Sequence, residues 1–440
     1  MLIQNTYRVL CILATVPVLA ITGCSLSSPM TGSATVPVTS TSVIAIQGHI
    51  HGGQQPVSGA AIQLYAASKT GYGTASLPLI SATVKSDVNG FFSITGDYPT
   101  CQPSDLVYIV AIGGNPGIAG TQNNSALAMM AGLGRCDSLT SSTFIQINEL
   151  TTVASVWALS PFMSDLTHVA TSSTNVQGLT NAFAAVNEIV NTSTGTVPGP
   201  FLPTGATLPV DEINTLADIL AVCINTVDST SPVGQSSSCN SVFSASKTVA
   251  STPTNTIQAA LDLAQNPALG LTLSSLVSGQ APFQPTLTAA PNSWVMAINY
   301  AAGLAAPAAI GADSKGNLFV PNAGSNSITK LTTNGVWSTF GVGLNSPSAI
   351  AIDLADNVWI ANVGNSTVSE YTTAGVASTI LSNGLNSPRA IAIDAGGNIW
   401  VANSGNSTVS EFSSTGAALS SGGFSSGGIN QPVGIAIDPK

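Results

Sequence analysis

Residues 347–375 read PSAIAIDLADNVWIANVGNSTVSEYTTAG, and the same pattern recurs on both sides. Residues 307–335 are PAAIGADSKGNLFVPNAGSNSITKLTTNG, residues 388–416 are PRAIAIDAGGNIWVANSGNSTVSEFSSTG, and a fourth copy, PVGIAIDPK, starts at Pro432. The prolines stand at 307, 347, 388 and 432 and the aspartates at 313, 353, 394 and 438, so both series step by 40, 41 and 44. A period of about 40 residues with four short strands per unit is the signature of propeller blades. In the middle unit, 349–353 reads as the inner strand, 357–361 as the second, 367–372 as the third and 376–381 as the outer fourth. The Asp of each D-x-x-x-N turn is suited to accept backbone N–H bonds. A residue that recurs once per blade serves every blade alike. Asp313, Asp353, Asp394 and Asp438 are therefore read as structural turn residues, not as catalytic or calcium-binding ones. Phe319, Trp359 and Trp400 hold one equivalent position each and are expected to pack between blades.

The pattern P-x-x-I-A-x-D-x-x-G-N-x-W-x-A-N resembles the NHL-repeat propellers, and among them the bacterial streptogramin lyase-like group. The resemblance covers about a third of the chain. It implies a scaffold that serves enzymes and binding platforms alike. The lyase chemistry of that group depends on His and Glu residues with a divalent metal at the propeller axis. Here no His follows His168. The repeats' glutamates, Glu370 and Glu411, share a third-strand position that is Lys330 in the first unit, which reads as an exposed flank. No residue takes over the lyase site, so no catalytic set, metal or cofactor is assigned. Three units and one inner strand also fall short of the ~4–8 blades of a closed propeller. Residues 292–300 (NSWVMAINY) read as one further strand, the closing outer strand of a last blade. The expectation is a truncated propeller, because an open stack would expose a strand edge and an apolar blade face.

The N-terminus sets the compartment. Residues 1–23 read as a signal peptide: one cationic residue, Arg8, then the twelve-residue apolar run VLCILATVPVLA, too short to span a bilayer. Ile21-Thr22-Gly23-Cys24 resembles the bacterial lipoprotein cleavage box, which implies lipidation of Cys24 and attachment to a membrane. Residues 24–42 are a Ser-, Thr- and Pro-rich tether. The expected location is therefore outside the cytoplasm, anchored or secreted. Six cysteines fit export. Charged residues make up 6% of the 440, whereas Ser and Thr number 56 and 46. Nine Lys and Arg cannot build a phosphate-binding surface, so nucleic acid is excluded as a partner. Cys101, Cys136, Cys223 and Cys239 suggest two disulfides. Of the three connectivities, sequence order favours Cys101–Cys136 and Cys223–Cys239.

Two regions separate the tether from the repeats, making the chain multidomain and mainly β. Residues 43–146 alternate like strands, with a hairpin expected where 81–86 and 91–95 flank Asp87-Val88-Asn89-Gly90. The pattern I-x-G-x-I … P-V-x-G-A-x-I-x-L-Y … S-D-x-x-G-x-F-x-I resembles the carboxypeptidase regulatory-like, or transthyretin-like, β-sandwich, and implies a structural module. Residues 147–291 turn helical, with a segment at 148–159 that stops at Pro161 and apolar stripes at 176–190, 211–225 and 256–264, and read as an α-helical spacer domain; 292–440 hold the blades. Other chemistry is sparse. His49 and His51 share a strand face but read as a sheet-surface pair, and His168 as a solvent-facing loop residue. Residues 132–136 (GLGRC) lack the rest of a phosphate loop. Ser420-Ser421-Gly422-Gly423 reads as a flexible connection, and Asn322, Asn362, Asn365, Asn403 and Asn406 as loop residues. The resulting expectation is an exported surface protein that presents NHL-type blades to a protein or glycan. The alternative is a metal-dependent propeller lyase or lactonase whose catalytic residues lie in further blades.

Overall fold

The computed structural model describes residues 46–438 apart from 96–100, 118–122, 227–236, 278, 280, 302 and 334. The signal peptide, Cys24 and the tether lie outside the described residues. Among the described residues no helix is long and apolar enough to cross a membrane.

The principal strands before the helices are β1 (Ile46–Gly52), β2 (Ala61–Ala66), β3 (Phe91–Ile94), β4 (Leu106–Ile112), β5 (Ala128–Arg135) and β6 (Phe144–Ile147). They form two sheets. In the first, β1 runs between antiparallel β3 and parallel β6. Ile46, Gly48 and Ile50 face inward while Gln47, His49 and His51 face outward. A side chain at Gly48 would overlap the Phe92 ring, which accounts for the glycine between two isoleucines. The second sheet has the order β2–β4–β5, all antiparallel. Strand β4 is buried along nearly its whole length, as expected of a strand covered on both faces.

The Asp87–Gly90 turn forms as its residues dictate. Asp87 Oδ1 accepts the N–H groups of Asn89 and Phe91, and Gly90 supplies a φ of +75°. It does not close a hairpin, however. The Val84–Lys85 strand pairs with β2 and β3 pairs with β1, so the turn carries the chain from one sheet to the other. Local turn chemistry fixes the reversal but not which sheet each arm joins.

Five helices follow: α1 (Glu149–Leu159), α2 (Val176–Ile189), α3 (Val210–Ile224), α4 (Ser237–Ser246) and α5 (Thr256–Gln265). Helix α4 is Ser-rich, and its apolar face is only the short set Cys239, Val242 and Phe243, all buried. The Asn148 side chain and the Thr151 side chain cap each other's backbone at the start of α1. Strand β5 is an edge strand, and the helices satisfy it through hydroxyls. Thr256 Oγ1, Thr152 Oγ1 and Ser155 Oγ accept the N–H groups of Ala128, Met130 and Gly132 at 3.0, 3.1 and 2.8 Å. Three alternate orphan donors of the edge thus find partners on α5 and α1. This explains why Thr152, Ser155 and Thr256 are fully buried in helices. It also makes residues 132–134 part of a strand rather than a loop.

One apolar core crosses the boundary at 146/147: Ile46, Leu64, Val110 and Met130 from the sheets share it with Val153, Phe183, Leu216 and Leu261 from the helices. The sheets and helices bury each other, as a composition shift alone does not reveal. Trp294 belongs to this same core and is fully buried there. The strand expected at 292–300 is only Asn299–Tyr300, and it pairs with Ala206–Thr207, not with a blade. The structure contains the disulfides Cys101–Cys136 and Cys223–Cys239.

The repeats fold as successive antiparallel sheets. Blade one is Gly311–Ala312, Leu318–Asn322, Ser327–Leu331 and Trp337–Phe340. Blade two is Pro347–Ile352, Val358–Asn362, Thr367–Tyr371 and Ala377–Leu381. Blade three has Pro388–Ile393, Ile399–Asn403 and Thr408–Phe412. Where its outer strand would run, only isolated pairings of Phe412 with Ala418 and of Val409 with Phe424 occur. Residues 420–423 are thus tied at both ends, and Ser420 Oγ accepts the Glu411 N–H at 2.9 Å. Neighbouring blades meet at their inner strands, where a Cβ on Gly311 would press on Ile350 and Ile352. Residues 433–438 pair with no strand among the described residues, so the expected fourth inner strand is not formed.

Candidate functional site

The recurring polar side chains of the blades are the first candidates for a site, and those of the turns and second strands have mechanical partners. Asp353 Oδ1 accepts the N–H groups of Ala355 and Asn357 at 2.9 and 2.8 Å, while Oδ2 accepts Asn357 Nδ2 and Trp359 Nε1 at 3.1 and 3.0 Å. Asp394 repeats this with Asn398 and Trp400. These donors hold the Asp394 carboxyl below its ordinary range, the Trp400 N–H contributing most. Asp313 makes the same turn but lacks the indole bond, because Phe319 stands in the tryptophan's place. Asp438 is exposed at the last described position. Trp359 and Phe319 are buried in the apolar clusters between blades. Trp400 is half-buried and stacks on Phe424, ring centres 5.9 Å apart.

Three asparagines read as loop residues occupy a different environment. Asn322, Asn362 and Asn403 end the second strands and are fully buried. Each side-chain oxygen accepts the N–H of Ala305, Asn345 or Asn386, in the segment entering its own blade's inner strand. Each amide donates to the third strand, to Thr329, Ser369 or Ser410 at 2.8, 3.0 and 2.9 Å. The asparagine therefore ties the entry, second strand and third strand of a blade together. The signal was present in the sequence as the invariant end of W-x-A-N and its offset of seven to Thr or Ser.

A second device links one blade to the next. The residues before the four prolines, Ala306, Ser346, Ser387 and Gln431, have φ of 46, 47, 48 and 42°. Side chains held in that left-handed region are costly by ~1–3 kcal/mol each. Compensating bonds come from the preceding blade: Asn326 Oδ1, Ser366 Oγ and Ser407 Oγ accept the N–H groups of Ser346, Ser387 and Gln431 at 2.7, 3.1 and 3.1 Å. Asp356, in the turn position that is Gly316 or Gly397 elsewhere, adds a bridge between blades one and two through Ser314. Lys330 donates to Thr373 O of blade two, and Glu370 accepts from Ser378 within its own blade. Asn365 and Asn406 are the asparagines that stay on exposed turns.

Outside the blades, His168 is not in a loop. It sits in a short strand and its Nδ1 lies 2.8 Å from Asp165 Oδ1. His49 and His51 lie on the outward face of β1. Among the described residues no group of three or more His, Cys, Asp or Glu is placed to hold a metal. The joint between α2 and blade one forms a cleft of about 180 Å³, lined by Asn181, Glu188, Tyr300, Thr332 and Thr333 among others. Tyr300 donates to Glu188 Oε2 there at 2.6 Å.

The NHL repeat family matches residues 385–412. Blade three is therefore similar to an NHL repeat. The match covers its inner, second and third strands, and so includes Asp394, Trp400 and Asn403. No curated protein sequence matches the chain. Among solved structures the chain is similar to virginiamycin B lyase from Staphylococcus aureus, with 13% identity, a TM-score of 0.27, and coverage of 28% of this chain and 44% of that one. It is also similar to hydrazine synthase from Kuenenia stuttgartiensis, with 18% identity, a TM-score of 0.27, and coverage of 31% and 42%. A protein of unknown function from Bacteroides caccae gives 16% identity, a TM-score of 0.24, and coverage of 28% and 48%. The chain spans less than half the length of each. Likenesses so partial say nothing about activity. The NHL repeat and the geometry of the three sheets establish a propeller-like C-terminal region.

Proposed function

We propose that this is an exported protein, lipid-anchored at Cys24, that presents its NHL-type blades as a binding platform for a glycan or protein. One observation carries the reading. The polar groups that recur in every blade are already bonded within or between blades, Asp353 to its turn and Asn362 to its entry segment. A partner would therefore meet the groups that differ between blades, on turns and outer strands. The few charges on the chain favour recognition by neutral hydrogen-bonding groups over ionic attraction.

The test uses the full-length chain expressed in a lipoprotein-processing bacterium. Label from an alkyne fatty acid should enter the protein, and Cys24→Ser should abolish both label and membrane recovery. The purified protein should then show saturable binding to one class on a panel of cell-surface glycans and purified surface proteins. Unlabelled wild-type protein would refute the anchor. Silence across the panel, with turnover of a cyclic ester or lactone, would refute the platform in favour of the lyase or lactonase.

A further inference from the structure

The outward face of β1 carries two imidazoles that the proposed function does not use. His49 and His51 have ring centres 5.7 Å apart with planes inclined at 62°. The His49 ring is held on both sides by ring edges, with Phe91 on β3 and Phe144 on β6 each 5.5 Å away. The His51 ring is fixed by the Gln146 side chain, which meets Nδ1.

These distances suit one metal ion. With metal–nitrogen bonds of ~2.0–2.1 Å, two imidazoles at a tetrahedral angle have ring centres roughly 5 Å apart. The observed separation lies within a small rotation of the two side chains. We infer that His49 and His51 form a two-imidazole site for a late first-row divalent cation, with Gln146 orienting His51 and water completing the coordination. If the Gln146 carbonyl oxygen turns toward Nδ1–H, the Nε2 lone pair of His51 faces the metal; outer partners commonly orient metal-bound histidines in this way. No third His, Cys, Asp or Glu joins the pair among the described residues. The site is therefore open and exchangeable, unlike a structural zinc site. Nitrogen ligands select copper, nickel and zinc over magnesium and calcium, with Cu²⁺ bound tightest.

The chain contains three histidines, which makes the test clean. The full-length untagged protein carrying Cys11→Ser and Cys24→Ser, so that neither leader thiol competes, is titrated with Cu²⁺, Zn²⁺ and Ca²⁺. Calorimetry gives affinity, and the imidazole proton resonances give location. Cu²⁺ should broaden the His49 and His51 signals at one equivalent and His168 later. Zn²⁺ should bind more weakly, and Ca²⁺ should leave all three unchanged. His49→Ala and His51→Ala should each weaken Cu²⁺ binding at least ~10-fold, and Gln146→Ala should weaken it by ~10-fold as an orienting residue does. His168→Ala should have no effect. Undiminished Cu²⁺ affinity in His49→Ala, or simultaneous broadening of all three histidines, would overturn the site. Metal that survives His49→Ala would lie elsewhere and leave the platform proposal to be judged by its own glycan test.

Discussion

Glu149 gives the sharpest prediction. It is the first residue of α1, its carboxyl is fully buried, and its Oε1 accepts the Gly53 N–H at 2.6 Å while Oε2 has no partner among the described residues. Burial pushes its pKa up to about 8 from 4.5, with nearby Asp218 adding to the effect. Asp218 is itself buried in α3 and raised to about 7 by burial. The folded protein therefore keeps a proton on Glu149 that the unfolded chain releases above pH 4.5. Below that pH both states are protonated and the group contributes no pH dependence. From 4.5 to about 8 the folded state binds more protons, so stability falls as pH rises. At about 1.4 kcal/mol per pH unit, the loss between pH 4.5 and pH 7 is at most roughly 3 kcal/mol from Glu149, and Asp218 acts in the same direction. Glu149→Gln mimics the neutral acid, keeps an acceptor for Gly53, and cannot ionise. The variant should match wild type near pH 4.5 and exceed it increasingly toward pH 8. Urea unfolding at pH 4.5, 6, 7 and 8, followed by circular dichroism at 222 nm, reads this region directly, because the α-helices of the described residues all lie between 149 and 265. Parallel stability profiles for the two proteins would refute the reasoning.

Three further outcomes follow from the fold. Asn362→Ala leaves the Asn345 N–H and the Ser369 hydroxyl without their partner at a fully buried position, and should cost about 1–3 kcal/mol, read from the urea midpoint of Trp359 fluorescence. Thr152→Val keeps shape but removes the acceptor for the Met130 N–H, so that amide should exchange with deuterium faster while its neighbours on β4 stay protected. Replacing both Cys223 and Cys239 by Ala should lower stability by about 2–4 kcal/mol, and a reducing agent should then leave the α3–α4 region of the variant unchanged while it destabilises the parent.

The second and third strands of each repeat were legible because a blade is local: one period contains its turns, its alternation and its Asp. Periodicity placed α2, α3 and α5 to within a residue of their ends, because each shows a stripe of apolar side chains. What stayed hidden depends on contacts between distant segments. No local feature shows that Thr152, Ser155 and Thr256 complete the edge of β5, because a hydroxyl in a helix looks the same whether it meets water or a strand. The Asp87–Gly90 turn joins two sheets for the same reason. Asn362 is the most instructive case. A turn-forming residue beside Gly and Ser reads as a loop, yet its amide is the group that can both accept from the incoming backbone and donate to the third strand. A serine is too short to span both partners, and an aspartate offers no donor when ionised. The recurrence of Asn at 322, 362 and 403 therefore follows from a two-sided bonding requirement, and it is a stronger statement about how each blade is held together than about what binds there. The same requirement leaves the surface free to vary from blade to blade, and the platform proposed above would use the residues that do not repeat.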